Sequence, residues 1–182
     1  MHTFLFLKEF IKNWRKVGSV APSSPFLAEK MLAPIDFEKA KTIVELGPGS
    51  GVFTRELLKR ITPDSKLIAF ETNCDFCREL ENIGDSRLTI RNESAMNIEK
   101  YLGEKQADYI VSGIPLANLG NEDKKNLLAT AHRVLAPGGK YIQFQYTRES
   151  QTELEDMFDE VEINFTPLNI PPAFVYSCLK KK

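Results

Sequence analysis

One segment limits what this chain can be: Val44-Glu45-Leu46-Gly47-Pro48-Gly49-Ser50-Gly51. It ends a short β-type run over 42–46 and opens a helical stretch over 51–60. Gly47, Gly49 and Gly51 permit a tight turn and leave backbone N–H groups open to close approach by a ligand. A strand, a glycine turn and a helix in succession begin a nucleotide-binding βαβ unit. A G-x-G-x-G loop is common, and here the flanking acids separate the alternatives. Glu45 lies inside the strand, where a dinucleotide site normally carries an apolar residue. Glu71 ends the next predicted strand about twenty residues on, the place from which a carboxylate accepts ribose hydroxyls. A Walker A reading fails because no Gly-Lys-Ser/Thr follows, and a dinucleotide reading lacks the G-x-G-x-x-G spacing.

The rest of the pattern extends that unit. Strands are predicted at 42–46, 67–71, 88–91, 108–112 and 141–146, with helices over 51–60, 75–83, 121–134 and 150–158. Ala136-Pro137-Gly138-Gly139 is a stop-and-turn signal ahead of the fifth strand. Two further strands, 161–165 and 174–179, are joined too closely for a crossover helix and should pair antiparallel. The expected fold is α/β: a Rossmann-like seven-stranded sheet with the last strand antiparallel and helices on both faces. At 182 residues it fits one such domain. The division expected is 1–40 as an N-terminal amphipathic helix and cofactor-covering segment, and 41–182 as the cofactor-binding domain.

The first forty residues differ in kind. At 100° per residue, a helix over 4–17 places Phe4, Phe6, Leu7, Phe10, Ile11, Trp14 and Val17 on one side. Lys8, Lys12, Arg15 and Lys16 fall on the opposite arc with Leu5. Gly18 and Pro22 end it, and a short helix over 25–32 follows with Ser24 as N-cap. The formal net charge of the chain is −1, so no overall basic field draws it to nucleic acid. No apolar run reaches the roughly 18–20 residues that span a bilayer. Lys8 and Glu9 interrupt the early apolar stretch, which argues against a secretory signal. Three cysteines suit a reducing compartment. Cys74 and Cys77 form a C-x-x-C, but no second pair or His cluster accompanies it, and no metal is expected.

The pattern Glu45-x-Gly47-x-Gly49-x-Gly51 resembles the hallmark of class I methyltransferases, which implies S-adenosylmethionine as cofactor. The resemblance associates Glu45 with the methionine moiety. In such proteins an acid after the third strand reads the adenine amine; here Ser94 stands at that place, followed by Ala95, with Glu93 one step away. Met96 would pack on the adenine or in the core.

A closer resemblance is carried by five segments: residues 15–24 (RKVGSVAPSS), the glycine loop with Phe53-Thr54, Ser112-Gly113-Ile114-Pro115-Leu116, Gln143-Phe144-Gln145-Tyr146, and 169–176 (NIPPAFVY). In order along the chain, they resemble the bacterial phospholipid N-methyltransferases that methylate phosphatidylethanolamine. Ribosomal RNA adenine dimethyltransferases share the fold branch but carry Asn-Leu/Pro-Pro-Tyr/Phe after the fourth strand. Ser112–Leu116 lacks both that amide and that ring, so a nucleobase acceptor and a nucleic-acid partner are not expected.

What the resemblance implies is a peripheral enzyme at the cytoplasmic face of a membrane; a monomer is expected. The basic residues of 4–17 less Glu9 leave +3, about 3 kcal/mol near an anionic leaflet. Insertion of Phe4, Phe10, Ile11 and Trp14 would add to that. Tyr146, ending the fifth strand, is the candidate catalytic and substrate-binding residue, offering a hydrogen-bond acceptor and a ring face to a methylated ammonium. Arg148 and Lys16 are candidates for the lipid phosphate. Ser23 and Ser24 would line the methionine end of the pocket. His132 has a general base's chemistry but a mid-helix position. Two alternatives stay open: an RNA adenine or soluble amine as acceptor, and a catalytically silent cofactor-binding domain.

Overall fold

The computed structural model describes residues 24–103 and 106–181. The predicted helix over 4–17, and with it Lys16 and Ser23, lies outside the described residues. Seven strands form one sheet in the order β3-β2-β1-β4-β5-β7-β6. They are β1 (Thr42–Leu46), β2 (Lys66–Phe70), β3 (Leu88–Arg91), β4 (Ala107–Ser112), β5 (Leu135–Gln145), β6 (Glu160–Thr166) and β7 (Ala173–Leu179). The first five run parallel, and β7 lies antiparallel between β5 and β6. The chain moves from β1 outward to β3 on one side and returns to β4 on the other. The crevice at the carboxyl ends of β1 and β4 is therefore the topological switch point, where open α/β sheets bind ligands.

Helices α1 (Pro25–Leu32) and α2 (Val52–Arg60) cover one face, burying Leu27, Met31, Leu32, Phe53 and Leu57 against Ile43, Val111, Ile142 and Val175. Short α4 (Ile98–Leu102), long α5 (Asn121–Val134) and α6 (Gln151–Met157) cover the other, packing Ile98, Leu127, Leu128, Ala131 and Leu154 on Val44, Ile110 and Tyr141. Helix α3 (Cys74–Glu81) lies beside β3 and buries Cys77 and Leu80. Helix α1 begins as its sequence dictates: the Ser24 hydroxyl accepts the Leu27 N–H at 3.1 Å, and Pro25 follows. At the far end of the sheet Asp108 accepts the N–H groups of Lys41 and Thr42, both at 2.8 Å, and aligns the starts of β1 and β4.

Two expectations change. Ala136-Pro137-Gly138-Gly139 does not precede the fifth strand but belongs to it: pairing with β4 starts at Leu135, breaks its register, and resumes at Lys140. Gly138, at φ 80°, donates to the carbonyl of Lys180, and Lys180 donates to that of Gly139. The turn residues thus make a bulge whose backbone groups are satisfied by the chain after β7. Helix α4, at five residues, is too short to display a helical period in the sequence. Among the described residues no helix is long and apolar enough to cross a membrane.

Candidate active site

The glycine loop is packed at both ends and open at its middle. Gly47, Gly49 and Gly51 have φ of 65°, 54° and 79°, a region that favours glycine. A Cβ on Gly47 would stand 2.9 Å from Ile114 Cγ1, and one on Gly51 would stand 2.6 Å from Leu80 Cδ2. A Cβ on Gly49 would enter open space. Gly47 and Gly51 are thus fixed by packing, while Gly49 faces the room a ligand needs. Arg55 braces the loop by donating to the carbonyls of Ser50 and Gly51.

Glu71 lies just past β2 and is buried. Its Oε2 accepts the Gly49 N–H at 3.1 Å and its Oε1 accepts the Asn73 N–H at 2.8 Å. The carboxylate is thereby oriented by two backbone donors and keeps lone pairs for ribose hydroxyls. Its carbonyl accepts the Asn92 side-chain amide at 2.9 Å, which draws the segment after β3 alongside. There Ser94 caps the turn at Ala95–Asn97, its hydroxyl accepting the Met96 N–H at 3.3 Å. Ala95 is buried, and Met96 packs against the core. Glu93 is no substitute for the missing acid. Both its oxygens are engaged, by the Asn97 amide and the Tyr101 hydroxyl, and these bonds hold its carboxyl below its ordinary range.

Glu45 is wholly buried at the end of β1. Thr54, on the first turn of α2, donates to its Oε2 at 2.7 Å; Oε1 has no partner among the described residues. Burial pushes its carboxyl up to about 8, against the Thr54 bond and with help from the nearby Glu71 charge. A buried acceptor with one free oxygen suits a cationic donor such as a ligand ammonium, which would return it to the ionised form.

Across the switch point the backbones of β1 and β4 nearly touch. Gly113 donates to the Leu46 carbonyl at 2.8 Å, and a Cβ there would meet the Gly47 carbonyl oxygen at 2.7 Å. The following loop is pinned to β5 by a buried amide. Gln143 Nε2 donates to the carbonyls of Ile114 at 3.0 Å and Phe144 at 2.7 Å, while its Oε1 accepts the Tyr141 hydroxyl at 2.6 Å. Ser112 uses its hydroxyl to accept the Ile114 N–H. Residues 112–116 therefore present Ile114, with Leu116 fully buried behind it, and neither a side-chain amide nor an aromatic ring.

Tyr146 follows β5 and is half-buried. Its ring meets Phe144 edge-on at 5.6 Å, and Phe144 meets Phe53 of α2 at 6.0 Å. Burial pushes its phenol up to about 12, opposed by a hydrogen bond with Asn169. Asn169 is a junction the sequence reading gave no role: its Oδ1 accepts the Ser24 N–H at 3.1 Å and its Nδ2 donates to the Pro171 carbonyl at 2.7 Å. Residues 24, 146 and 169, from three of the five segments that carry the resemblance, meet at one point. Arg148 is exposed, 5.8 Å over the Phe174 ring. Ser24 is committed to capping α1, and the structure gives it no pocket-lining contact beyond the Asn169 bond. His132 packs its ring on Phe158 at 5.4 Å, half-buried beneath α5 rather than facing solvent. Among the described residues no group of His, Cys, Asp or Glu could hold a metal ion.

The model of the ribosomal RNA adenine dimethylase family matches residues 14–158. The chain belongs to that family. It is a class I methyltransferase that uses S-adenosylmethionine, and the glycine loop, Glu71 and the free Glu45 oxygen fit that cofactor. An ornithine lipid N-methyltransferase of Singulisphaera acidiphila is 35% identical over 96% of this chain and 94% of its own. Ribosomal RNA small subunit methyltransferase A of Mycoplasmopsis synoviae is 31% identical over 49% of this chain and 33% of its own. Among solved structures, N-methyltransferase NodS of Bradyrhizobium japonicum, in complex with S-adenosylhomocysteine, superposes with a TM-score of 0.71 at 16% identity, covering 99% of both chains. That likeness is one of fold.

Proposed function

We propose that this family member methylates the primary amine of a membrane aminolipid, phosphatidylethanolamine or an ornithine lipid, at the cytoplasmic face of a membrane. The observation that carries this reading is the segment after β4. The Ser112 hydroxyl at the end of β4 and the Gln143 amide of β5 are both spent on backbone groups, and Ile114 takes the place of a base-clamping ring. Such a wall suits an aliphatic amine and offers a flat base neither hydrogen bond nor stacking. The lipid methyltransferase from S. acidiphila, similar along nearly the whole chain, supports it. The predicted basic amphipathic helix over 4–17 adsorbs to the anionic surface in this reading, with Lys16 and Arg148 toward lipid phosphate.

Bound S-adenosylmethionine supplies an already activated methyl group. Glu71 holds the ribose hydroxyls, Glu45 the methionine ammonium, and Ser94 with Ala95 the adenine edge. The chain's remaining task is to align a neutral amine and keep water out. An alkylammonium with a pKa near 10 costs about 4 kcal/mol to deprotonate at pH 7. Tyr146, its phenol pushed up to about 12, stays protonated and is no general base at neutral pH. It orients the amine through its phenol oxygen and ring face, while desolvation beside a cationic donor lowers the amine's own pKa.

A second reading, an adenine of RNA as acceptor, is favoured by the family match itself. The deciding experiment incubates the full chain with labelled S-adenosylmethionine, vesicles of phosphatidylethanolamine and ornithine lipid, and ribosomal RNA as competing acceptor. Label is expected in lipid; label confined to RNA overturns the proposal.

A further inference from the structure

Four large apolar side chains are exposed among the described residues: Phe26 at 51%, Phe165 at 52%, Leu168 at 61% and Ile170 at 86%. All four lie at one end of the molecule. Phe26 is in the first turn of α1, Phe165 near the end of β6, and Leu168 and Ile170 in the connection to β7. Strand β6 runs parallel to β5, because each is antiparallel to β7. The connection therefore lies at the carboxyl ends of the parallel strands, the end where the glycine loop and Tyr146 also sit. Phe26, Phe165, Pro167 and Leu168 line a shallow groove with Glu29 and Lys30, and Ile170 projects beyond it.

We propose that this tip is a bilayer contact that inserts beside the mouth of the acceptor site. It rests on the aminolipid reading and adds to the contact expected of residues 4–17. Three observations favour a lipid surface as the occupant. First, Asn169 stands between Leu168 and Ile170 in sequence and is bonded through its side chain to Ser24 and Tyr146. The apolar tip is thereby fixed to the residue expected to meet the amine, so seating it in the acyl boundary sets the headgroup at Tyr146. Second, the predicted basic amphipathic stretch precedes Ser24 in sequence, and the Ser24 N–H bonds Asn169 within this tip. Third, Arg148 lies over Phe174, whose ring packs on Phe165 at 5.1 Å, so a cation flanks the apolar side chains as lipid phosphates flank acyl chains. A cluster of exposed large apolar residues rimmed by polar ones marks an interaction site. Prolines 167, 171 and 172 stiffen the tip, which lowers the entropy lost on insertion.

The test uses the full chain carrying Leu168→Ser and Ile170→Ser together, with vesicles of phosphatidylethanolamine and phosphatidylglycerol. Flotation affinity is expected to fall at least about tenfold, roughly one factor of ten per fully inserted side chain. Methylation of bilayer lipid should fall with it. S-adenosylhomocysteine affinity, which reports folding, and methylation of monomeric dihexanoyl-phosphatidylethanolamine should stay within about twofold. A second variant, Trp14→Phe with Ile170→Trp, should show blue-shifted fluorescence quenched by brominated acyl chains. Undiminished vesicle affinity in the first variant and no quenching in the second overturn the tip while leaving the acceptor reading intact. A wild-type chain that labels no lipid overturns the acceptor reading instead. Loss of a dimer in the serine variant, with vesicle affinity unchanged, reassigns the tip to self-association.

Discussion

The two halves of the site are built on different principles. The cofactor half, around β1, β2 and β3, is local: each polar group is held by a neighbour close in the chain or one strand away. Thr54 bonds Glu45 nine residues back, and Gly49 bonds Glu71 across one strand pair. The proposed acceptor half is assembled from afar. Ser24 reaches Asn169 across 145 residues, and Gln143 holds the loop at Ile114 across 29. A local site can be reused with many substrates because its polar groups are held by near neighbours. The distant one changes whenever a terminal segment or the β6–β7 connection changes, which is where a family can vary its acceptor.

Substitutions ranked by size test that division. The largest effect belongs where the halves touch. Gly113→Val drives a side chain into the Gly47 carbonyl and should cost about 3 kcal/mol in urea unfolding, with loss of S-adenosylhomocysteine binding by calorimetry. Gly49→Ala has room for its methyl group and carries only the left-handed backbone penalty of about 1–2 kcal/mol, so its loss of affinity should exceed its loss of stability. Equal damage from both would mean that the halves are not separately built.

Glu71→Ala removes the carboxylate that orders the loop and should weaken S-adenosylhomocysteine about 30-fold, near 2 kcal/mol. Tyr146→Phe should leave that affinity unchanged and lower kcat/KM for the aminolipid about tenfold. A fall in cofactor affinity on Tyr146→Phe would break the comparison outright.

Glu45 supplies a smaller, pH-dependent effect. Its folded, ligand-free carboxyl titrates near 8 against an ordinary 4.5. Between those values the folded chain retains a proton that the unfolded chain has released. Its contribution is therefore full below about 4.5 and is lost as pH rises through 8. The ligand-free protein should lose about 1 kcal/mol between pH 6 and 7 relative to Glu45→Gln, read as the difference in thermal unfolding. Cofactor binding should reduce that difference by ionising Glu45. Smallest of all, Ser94→Asp keeps a cap for the Met96 N–H and restores an acid at the adenine edge; affinity should rise about threefold.

Much of this was legible in residue order. The strand at Thr42–Leu46, the glycines, and the acids at 45 and 71 are a one-dimensional pattern because their geometry is local; the helix Pro25–Leu32 falls where its Ser24 cap and Pro25 put it, and Asn121–Val134 where its periodicity does. The bulge at residues 136–139 reads in sequence as a plain turn because its backbone partner, Lys180, is some forty residues away. Asn169, Gln143 and Thr54 appeared only as letters in shared segments.

What the sequence by itself determined is the cofactor end: a turn of three glycines flanked by two acids marks the site, since conformational freedom and charge are properties of single residues. What only the tertiary structure decided is the acceptor end. Gathering Ser24, Tyr146 and Asn169, and setting four exposed apolar side chains at the same end, depends on β6 and β7 folding back beside β5. No local propensity encodes that contact; it follows from burying the two faces of the sheet.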